Sequence, residues 1–399
     1  MKNQIESLYQ KSKKEEKLII GLMSGTSMDG LDIALSSFKG SGSETEIKLL
    51  HFKTGDYTDN FRQQVKSIFS KKTVDLEMVC LMNEQIALTH AKLINEAIAE
   101  WGYHNEDIDF IASHGQTIYH APKSLHGQEG LPNGTLQIGD GDHIAVNTGI
   151  ITLSDFRQKH IAAGGEGAPL AVYGDYLIFS KQGEDRIMLN IGGIANYTYL
   201  PGDLSASKVF STDVGPGNTL MDQYVQQHFE GLYYDKDAAI ALAGKVNVQL
   251  LKELLANDFF AADFPKTTGP ELFSMDYLEK AQKASGTAAL AKEDVMATLC
   301  HFSAQGIIGS IKRALRDLSK PVLYLSGGGM HNPLLFSLLQ AELPEVVFKT
   351  TSDLEVNPDA KEAVLFALLA NETICGSQIY FGERQGVPSV CMGKISLPK

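Results

Sequence analysis

Three glycine-rich turns, each directly after an apolar segment, constrain the fold of this chain more than any other feature of its sequence. They lie at residues 24–30, 190–193 and 326–329. A turn of this kind at a strand end lets backbone N–H groups converge on an anion, because no Cβ atom stands in the way. One such turn is ordinary turn chemistry, but three of them at strand ends together predict a nucleotide site.

The apolar segments around these turns have the lengths of strands. Residues 18–23 and 31–38 form the expected β-hairpin around the first turn, and residues 186–189 and 194–200 form one around the second. The third turn follows a strand at 322–325 and leads into a helix, whose N-terminus would favour an anion. Because strands alternate with helical patterns along the chain, the predicted fold class is α/β.

The same unit of strand, glycine turn and strand occurs at residue 24 and again at residue 190, which predicts two related α/β domains facing a cleft. We expect a polar leader at 1–16 and an N-terminal domain at 17–150 that contains the first hairpin. A C-terminal domain at 151–399 would contain the second hairpin and the third turn. Its last segment is expected to pack back on the N-terminal domain.

Composition and charge exclude several classes of function. The 399 residues include 35 Lys and Arg against 48 Asp and Glu, and the net charge of −13 has the wrong sign for a nucleic-acid partner. No uncharged apolar run approaches the ~18 residues that span a membrane. The first apolar run, 18–23, is too short for a signal peptide, so we expect a cytoplasmic protein. The cysteines and histidines have neither a disulfide framework nor a zinc-binding spacing.

The familiar phosphate-binding motifs are absent. No Walker motif is present, and Gly139-Asp140-Gly141 lacks the rest of a dinucleotide fingerprint. The remaining possibility is that two β-hairpins, one in each domain, bind phosphate and the third turn binds the nucleoside. This arrangement resembles the sugar kinase, heat-shock chaperone and actin superfamily, which implies two ribonuclease H-like domains with an interdomain ATP cleft.

Eight motifs carry a closer resemblance, and they occur in family order at residues 21–32, 113–118, 137–139, 155–157, 164–170, 190–193, 213–218 and 327–329. Together they resemble the anhydro-N-acetylmuramic acid kinase family. The resemblance runs from about residue 18 to residues 392–395, and the motifs at 21–32 and 213–218 are its most specific parts.

The resemblance implies an ATP-dependent kinase that opens 1,6-anhydro-N-acetylmuramic acid with water and phosphorylates O6. The products would be N-acetylmuramic acid 6-phosphate and ADP, formed in peptidoglycan recycling. The family also implies Mg²⁺ and a homodimer. Three alternatives remain: another small-molecule sugar kinase of the same fold, an ATP-driven conformational switch, and a nucleotide-binding pseudoenzyme.

A carboxylate is the natural base to activate the water. The family's motif assigns this role to Asp213, which ends an apolar strand before a Gly-Pro-Gly turn. The alternative for an aspartate at this position is a cap or turn acceptor. Asp29 is a candidate Mg²⁺ contact, against the alternative of a hairpin-turn residue. The predicted ATP-binding residues are Ser24, Gly25, Thr26, Ser27, Met28, Asp29, Gly30, Leu31, Asn190, Gly192, Gly193, Gly327, Gly328 and Gly329.

The predicted sugar-binding residues are His114, Gln116, Arg157, Gly215 and Asn218. A structural histidine and a surface ion pair are the alternatives for His114 and Arg157. Glu362 is either an acceptor on the nucleotide side or a charge at a helix N-terminus, and the segment 267–269 resembles the family without a chemistry that the sequence reveals. The chain departs from the family's usual residues in the predicted sugar pocket and near the last helix, at His160, Glu166, Pro270 and 355–357.

Overall fold

The computed structural model contains two mixed β-sheets, each with its own helices. It describes residues 2–25, 28, 30–168, 170–269, 272–314, 321–354, 357, 360–376, 379–382 and 387–399. The chain divides into two compact units: unit 1 comprises Met1–Ile178 and Val356–Lys399, and unit 2 comprises Phe179–Glu355.

Unit 1 is built on a seven-stranded sheet. Its strands are β1 (Glu16–Ser24), β2 (Gly30–Lys39), β3 (Glu46–Asp56), β4 (Phe110–Ala121), β5 (Gly134–Ile138), β6 (Ile151–Ser154) and β12 (Lys394–Ser396). The order is β12-β6-β4-β1-β2-β3, and β5 pairs with the far end of β4. The first hairpin forms as predicted, with Met23 of β1 opposite Asp32 of β2.

Helices cover this sheet. They are α1 (Lys2–Ser12), α2 (Asp59–Ile68), α3 (Leu76–Glu100), α4 (Lys123–His126), α5 (Gly141–Thr148), α6 (Phe156–Ala162), α7 (Ala171–Phe179) and α15 (Lys361–Cys375). The apolar sides of α2 and α3 pack on the sheet in one core. Helix α15 packs against β1, β2 and β4. Small residues allow this close approach, since Ala34 of β2 and Ala363 of α15 are both fully buried in the contact.

The N-terminal helix α1 is joined to unit 1 through Asp109, whose side chain is almost fully buried. The carboxylate accepts the backbone N–H of Leu18 at 3.0 Å. It also forms ion pairs with Lys11 at 3.3 Å and Lys14 at 2.6 Å. A buried carboxylate needs such partners, and here they attach the polar leader to the start of β1.

Unit 2 is built on a five-stranded sheet. Its strands are β7 (Arg186–Ile191), β8 (Ile194–Leu200), β9 (Phe210–Pro216), β10 (Val322–Ser326) and β11 (Val347–Thr350), in the order β11-β10-β7-β8-β9. Its helices are α8 (Thr219–His228), α9 (Ala239–Ala243), α10 (Val248–Leu254), α11 (Asp258–Ala261), α12 (Met275–Ser285), α13 (Lys292–Ala314) and α14 (Pro333–Glu342). The second predicted hairpin is β7–β8.

The two sheets share one topology. In unit 1, β1, β2 and β3 form an antiparallel meander, and β4 and β6 continue the sheet in parallel on the other side of β1. In unit 2, β7, β8 and β9 form the meander, and β10 and β11 are the parallel strands. This confirms the predicted α/β class and the two related domains of ribonuclease H-like type.

The boundary between the units lies at residue 178, whereas the sequence suggested residue 150. Strand β6 pairs in parallel with β4, so the segment after residue 150 still belongs to the first sheet. Strand β12 pairs with β6, which places the end of the chain in unit 1 as well. Such pairing joins segments far apart in sequence, and no local pattern marks it.

Among the described residues, no helix has both the length and the apolar character that crossing a membrane requires.

Candidate functional site

The first glycine turn joins β1 to β2. Ser24 ends β1, and Gly30 and Leu31 begin β2 with their side chains or Cα atoms buried. A Cβ atom on Gly30 would lie 2.8 Å from the carbonyl oxygen of Gly55, so this position requires glycine. Met28 has a φ of 55° and is 3% exposed, and it anchors the turn in the core of unit 1. Three residues of the predicted phosphate and Mg²⁺ contacts lie outside the described residues, namely Thr26, Ser27 and Asp29.

Gln116 lies on β4 opposite Ser24 and is only 1% exposed. Its Oε1 accepts the Ser24 hydroxyl proton at 2.7 Å, and its Nε2 donates to the carbonyl oxygen of Gly25 at 3.4 Å. These contacts use the side chain within the protein, at the base of the turn. Gln116 was predicted as a sugar contact, and the structure gives it a contact with the first glycine turn.

His114 and Arg157, both predicted to bind the sugar, are in direct contact. The Nε–H of Arg157 donates to His114 Nε2 at 3.0 Å, and His114 Nδ1 lies 2.9 Å from the carbonyl oxygen of Gly115. Burial, together with the nearby Arg157 charge, lowers the pKa of His114 to about 3. The imidazole is therefore neutral, with its proton on Nδ1, and it orients the guanidinium by accepting from it.

The turn at residues 164–167 lies against Arg157 and His160. Arg157 Nη1 donates to the carbonyl oxygen of Gly167 at 2.7 Å, and the N–H of Gly167 donates to His160 Nδ1 at 3.0 Å. A Cβ atom on Gly165 would lie 2.2 Å from the same imidazole. His160 is thus a packing residue that fixes this turn. In the described part of the chain, its buried Nε2 has no hydrogen-bond partner.

His160→Asn is expected to weaken the acid sensitivity of the fold. Burial lowers the pKa of His160 to about 4, against about 6.5 in an unfolded chain. Between these values the unfolded state binds more protons, so stability falls as pH falls from 6.5 to 4, by up to about 1.4 kcal/mol per pH unit from this group. Asn can accept the Gly167 N–H without titrating. Urea unfolding at pH 7, 6 and 5 should show a smaller loss in the variant, and equal losses in both proteins would contradict this prediction.

Glu362, in the first turn of α15, adds a second charge to this region of unit 1. Solvent reaches its side chain, yet the surrounding protein raises the pKa of Glu362 by desolvation. Lys361 and Arg157 oppose that rise in pKa, and Asp32 contributes to it. Glu362 is therefore close enough to Arg157 for their charges to interact. Its place in the first turn of α15 agrees with the charge at a helix N-terminus that the sequence favoured.

In unit 2, Asp213 is the fourth of the seven residues of β9 and has a half-buried side chain. The sequence placed it at the end of its strand, but β9 continues through Pro216, with a shift in its pairing to β8 directly after Asp213. The backbone N–H of Thr268 donates to Asp213 Oδ2 at 2.8 Å. The backbone N–H of Asp213 donates to the carbonyl oxygen of Lys266 at 2.9 Å. Gly215, two residues on, has a φ of 145°, which only glycine adopts readily. The segment 266–268 therefore orients the carboxylate.

The second glycine turn packs on the start of α8. The carbonyl oxygen of Gly192 accepts the N–H of Asn218 at 2.8 Å, and that of Gly193 accepts the N–H groups of Gly217 at 2.8 Å and Thr219 at 3.1 Å. These three N–H groups at the N-terminal end of α8 thus already donate to the hairpin turn. Among the described residues, the N–H groups of Gly192 and Gly193 themselves donate to no backbone carbonyl. They are the groups of this turn that could bind an anion.

The third glycine turn lies against the second. A Cβ atom on Gly327 would stand 2.6 Å from Asn190 Oδ1, and one on Gly329 would stand 2.3 Å from Ile191 Cγ2. A Cβ atom on the glycine between them, Gly328, would stand 3.9 Å from the side-chain amide of Asn218. The structure therefore brings Asn190, Asn218 and the two glycine turns into one cluster in unit 2.

Comparison with known proteins gives the family. The family model for anhydro-N-acetylmuramic acid kinase matches residues 17–379. A relative of that name from Pseudoalteromonas atlantica is 56% identical over 400 residues, covering 100% of both chains. The chain belongs to the anhydro-N-acetylmuramic acid kinase family. The family predicted from the motifs is thereby confirmed, together with the predicted class of enzyme, a phosphotransferase with an alcohol acceptor.

A more distant relative supports the same family assignment. The kinase of the same name from Caldanaerobacter subterraneus is 40% identical over 387 residues, covering 96% of this chain and 98% of its own. Among solved structures, the activator of the 2-hydroxyisocaproyl-CoA dehydratase from Clostridium difficile with bound ADPNP has a TM-score of 0.39 and 12% identity, and covers 90% of this chain and 95% of its own. That likeness is weak, so the assignment rests on the sequence relatives.

Two functional features of this kinase escaped the sequence reasoning. Thr268 carries the N–H that holds Asp213, and the motif at 267–269 was the only signal for it. His160, a departure from the family's usual residue, fixes the turn at 164–167 from inside the protein. Three other departures, Pro270, Glu355 and Val356, lie outside the described residues.

Proposed function

We propose that this protein phosphorylates O6 of 1,6-anhydro-N-acetylmuramic acid with ATP while water opens the anhydro bridge. The products are N-acetylmuramic acid 6-phosphate and ADP, and the reaction belongs to cytoplasmic recycling of peptidoglycan. The observation that carries the proposal is the half-buried Asp213 carboxylate of β9, which accepts the N–H of Thr268. The full-length relatives named for this reaction support it.

In this mechanism Asp213 is the general base. It takes a proton from the water that attacks C1 of the sugar, and the electron pair of the C1–O6 bond passes to O6. The released O6 attacks the γ-phosphorus of ATP, and the bond to the β,γ-bridging oxygen breaks to give ADP. Because O6 forms its new bond to phosphorus as it leaves C1, the step needs no separate acid for O6.

The glycine turns bind ATP. Backbone N–H groups of the first turn, at 24–31, hold the β- and γ-phosphates, and those of Gly192 and Gly193 add a second set of donors. The turn at 327–329 packs on Asn190 and borders the adenosine. Mg²⁺ neutralises phosphate charge when bound. In the part of the chain that the structure describes, no group of three or more His, Cys, Asp or Glu side chains is placed to hold a metal ion. We therefore assign the ion mainly to the phosphates, as Mg²⁺ prefers, with Asp29 as its protein contact.

Arg157 binds the lactyl carboxylate of the sugar. Its described contacts use Nε and Nη1, with His114 and Gly167 as acceptors, which supports Nη2 as the donor to the ligand. Gly215 and Asn218 border the sugar in unit 2. The net charge of −13 repels both anionic substrates, so attraction must come from Arg157, Mg²⁺ and the local N–H groups. We further propose a homodimer, which light scattering would detect as twice the chain mass of 43.5 kDa.

Incubation with ATP and Mg²⁺ and a panel of sugars tests the proposed function. The panel contains the anhydro sugar, N-acetylglucosamine, glucose and a sample without sugar. We expect one ADP for each anhydro sugar consumed, and a product heavier than the substrate by one phosphoryl group and one water. Phosphorylation of an ordinary sugar without added water would favour a different sugar kinase. ADP formation without any sugar phosphate would favour an ATP-driven switch.

A further inference from the structure

Four buried polar side chains form a continuous chain beneath the first glycine turn. Ser24, Tyr57, His90 and Gln116 are between 0% and 4% exposed. Ser24 and Gln116 are register partners on β1 and β4. Tyr57 directly follows β3, and His90 lies in the middle of α3, so the four residues share no sequence motif.

The hydrogen bonds that link these four side chains all have the same direction, from His90 towards Gly25. Tyr57 Oη donates to Ser24 Oγ at 3.0 Å, and Ser24 Oγ donates to Gln116 Oε1 at 2.7 Å. Tyr57 Oη and His90 Nε2 are 2.7 Å apart. Since the tyrosine proton points to Ser24, His90 is the donor in that contact. Gln116 Nε2 completes the chain on the carbonyl oxygen of Gly25, at 3.4 Å.

His90 is suited to be the first donor in this series of hydrogen bonds. It is fully buried, and burial lowers the pKa of His90 to about 3, so the ring is neutral and carries a single proton. The direction of the bonds places that proton on Nε2. Successive hydrogen bonds of this kind polarise one another, and removing one member leaves its buried partner unsatisfied. Loss of any one of these hydrogen bonds is therefore expected to weaken the support that the whole series gives to the turn.

The series of hydrogen bonds ends on Gly25, the first residue after β1. The Gly25 carbonyl oxygen that accepts from Gln116 also accepts the N–H of Met28 at 3.4 Å, and that bond closes the turn. The Ser24 hydroxyl donates its proton and accepts one within the protein. The contacts of this hydroxyl therefore support the base of the turn.

We propose that Tyr57 and His90, acting through Ser24 and Gln116, are positioning residues that hold the first glycine turn in its phosphate-binding conformation. This inference rests on the proposed function, which assigns that turn to the β- and γ-phosphates of ATP. It gives Ser24 and Gln116 a supporting role, where the sequence predicted an ATP contact and a sugar contact, and it assigns the nucleotide contacts to the turn residues after Ser24.

Tyr57→Phe tests the inference. The variant loses one hydroxyl and keeps the ring contacts with Phe61, at 4.7 Å between ring centroids, and with His90, at 6.2 Å. Titration calorimetry with ADPNP and Mg²⁺ should give a Kd about tenfold higher than wild type, the size expected when one buried hydrogen bond is lost. The KM for the anhydro sugar should change less than about twofold. A folded variant that binds ADPNP as tightly as wild type would overturn the inference.

Tyr277→Phe is the matched control. Its hydroxyl donates to the carbonyl oxygen of Leu254 at 2.5 Å, and both residues belong to unit 2, whereas the first glycine turn belongs to unit 1. This variant also loses a hydrogen-bonded tyrosine hydroxyl, but its Kd for ADPNP should equal that of wild type. An equal loss of ADPNP binding in both variants would mean that the effect is general destabilisation, and the inference would be wrong.

A pair of substitutions at His90 gives a second test of the positioning role, and it applies even if Tyr57→Phe fails to fold. His90→Gln keeps an N–H donor for Tyr57 and should bind ADPNP nearly as wild type does. His90→Leu has no donor and should show the weaker binding of Tyr57→Phe. Equal ADPNP binding by the two variants would overturn the inference. Failure of the proposed function is seen elsewhere, as wild-type protein that binds ADPNP but does not turn over the anhydro sugar.

Discussion

Asp213→Asn is expected to lower kcat by about 10²- to 10⁴-fold, the contribution typical of a general base. Asn is nearly the same size and can still accept the N–H of Thr268 that now bonds to Oδ2. It cannot take a proton from the attacking water. The Kd for ADPNP should therefore stay within about twofold of wild type, because the change removes an interaction made in the transition state. Steady-state kinetics and calorimetry on the same preparation measure both quantities.

Asp203→Asn is the control for this substitution. Asp203 belongs to the same unit, is exposed, and forms a surface ion pair with Lys208. Surface ion pairs contribute little to stability, and this one lies outside the proposed site, so kcat should be unchanged. Near-normal turnover by Asp213→Asn would remove Asp213 from the role of base.

Gly21→Ala is expected to destabilise unit 1 strongly. Gly21 lies in β1, between Ala34 of β2 and Ala112 of β4. A Cβ atom there would stand 1.8 Å from the carbonyl oxygen of Ala363 in α15, and helix and strand would have to separate. Overpacking against backbone costs on the order of 3 kcal/mol. A unit of this size should then lose roughly 6–12 °C in Tm.

Gly309→Ala provides the contrast. Gly309 lies in α13 with an exposed surface, and a Cβ atom there would meet nothing within 4 Å. Alanine in a helix is favoured over glycine by roughly 0.5–1 kcal/mol, so Tm should stay the same or rise slightly. A Gly21→Ala protein with an unchanged Tm would contradict the close packing of α15 on β1.

The sequence predicts local features of this fold well. Both hairpins follow from apolar runs that flank a glycine turn, and β8 has the predicted bounds of 194–200. Strand β3, at Glu46–Asp56, escaped the sequence reasoning because its burial is mostly partial and charged residues interrupt it. The β6–β12 pair was also missed, since each partner has only three or four residues and they lie more than two hundred positions apart.

In the candidate site, too, the sequence reveals the local motifs but not the residues that only tertiary packing brings together. Asp213 and the glycine turns stand out in the sequence because their residue types and spacing are specific. Tyr57 and His90 do not, since a tyrosine after a strand and a histidine within a helix are ordinary. Their hydrogen bond to one another exists only because α3 packs on the sheet whose edge strand is β3. Supporting residues of this kind depend on tertiary packing, which a single sequence does not reveal.

The position of the water oxygen in the product shows whether water opens the anhydro bridge as O6 is phosphorylated. Protein, ATP, Mg²⁺ and the anhydro sugar are incubated in ¹⁸O-labelled water, and the sugar phosphate is analysed before its C1 hydroxyl exchanges with solvent. Finished product held in the same water for the same time measures that exchange. We expect one ¹⁸O atom on C1 and none in the phosphate on O6. A sugar phosphate without label at C1, or label found only in inorganic phosphate, would contradict it.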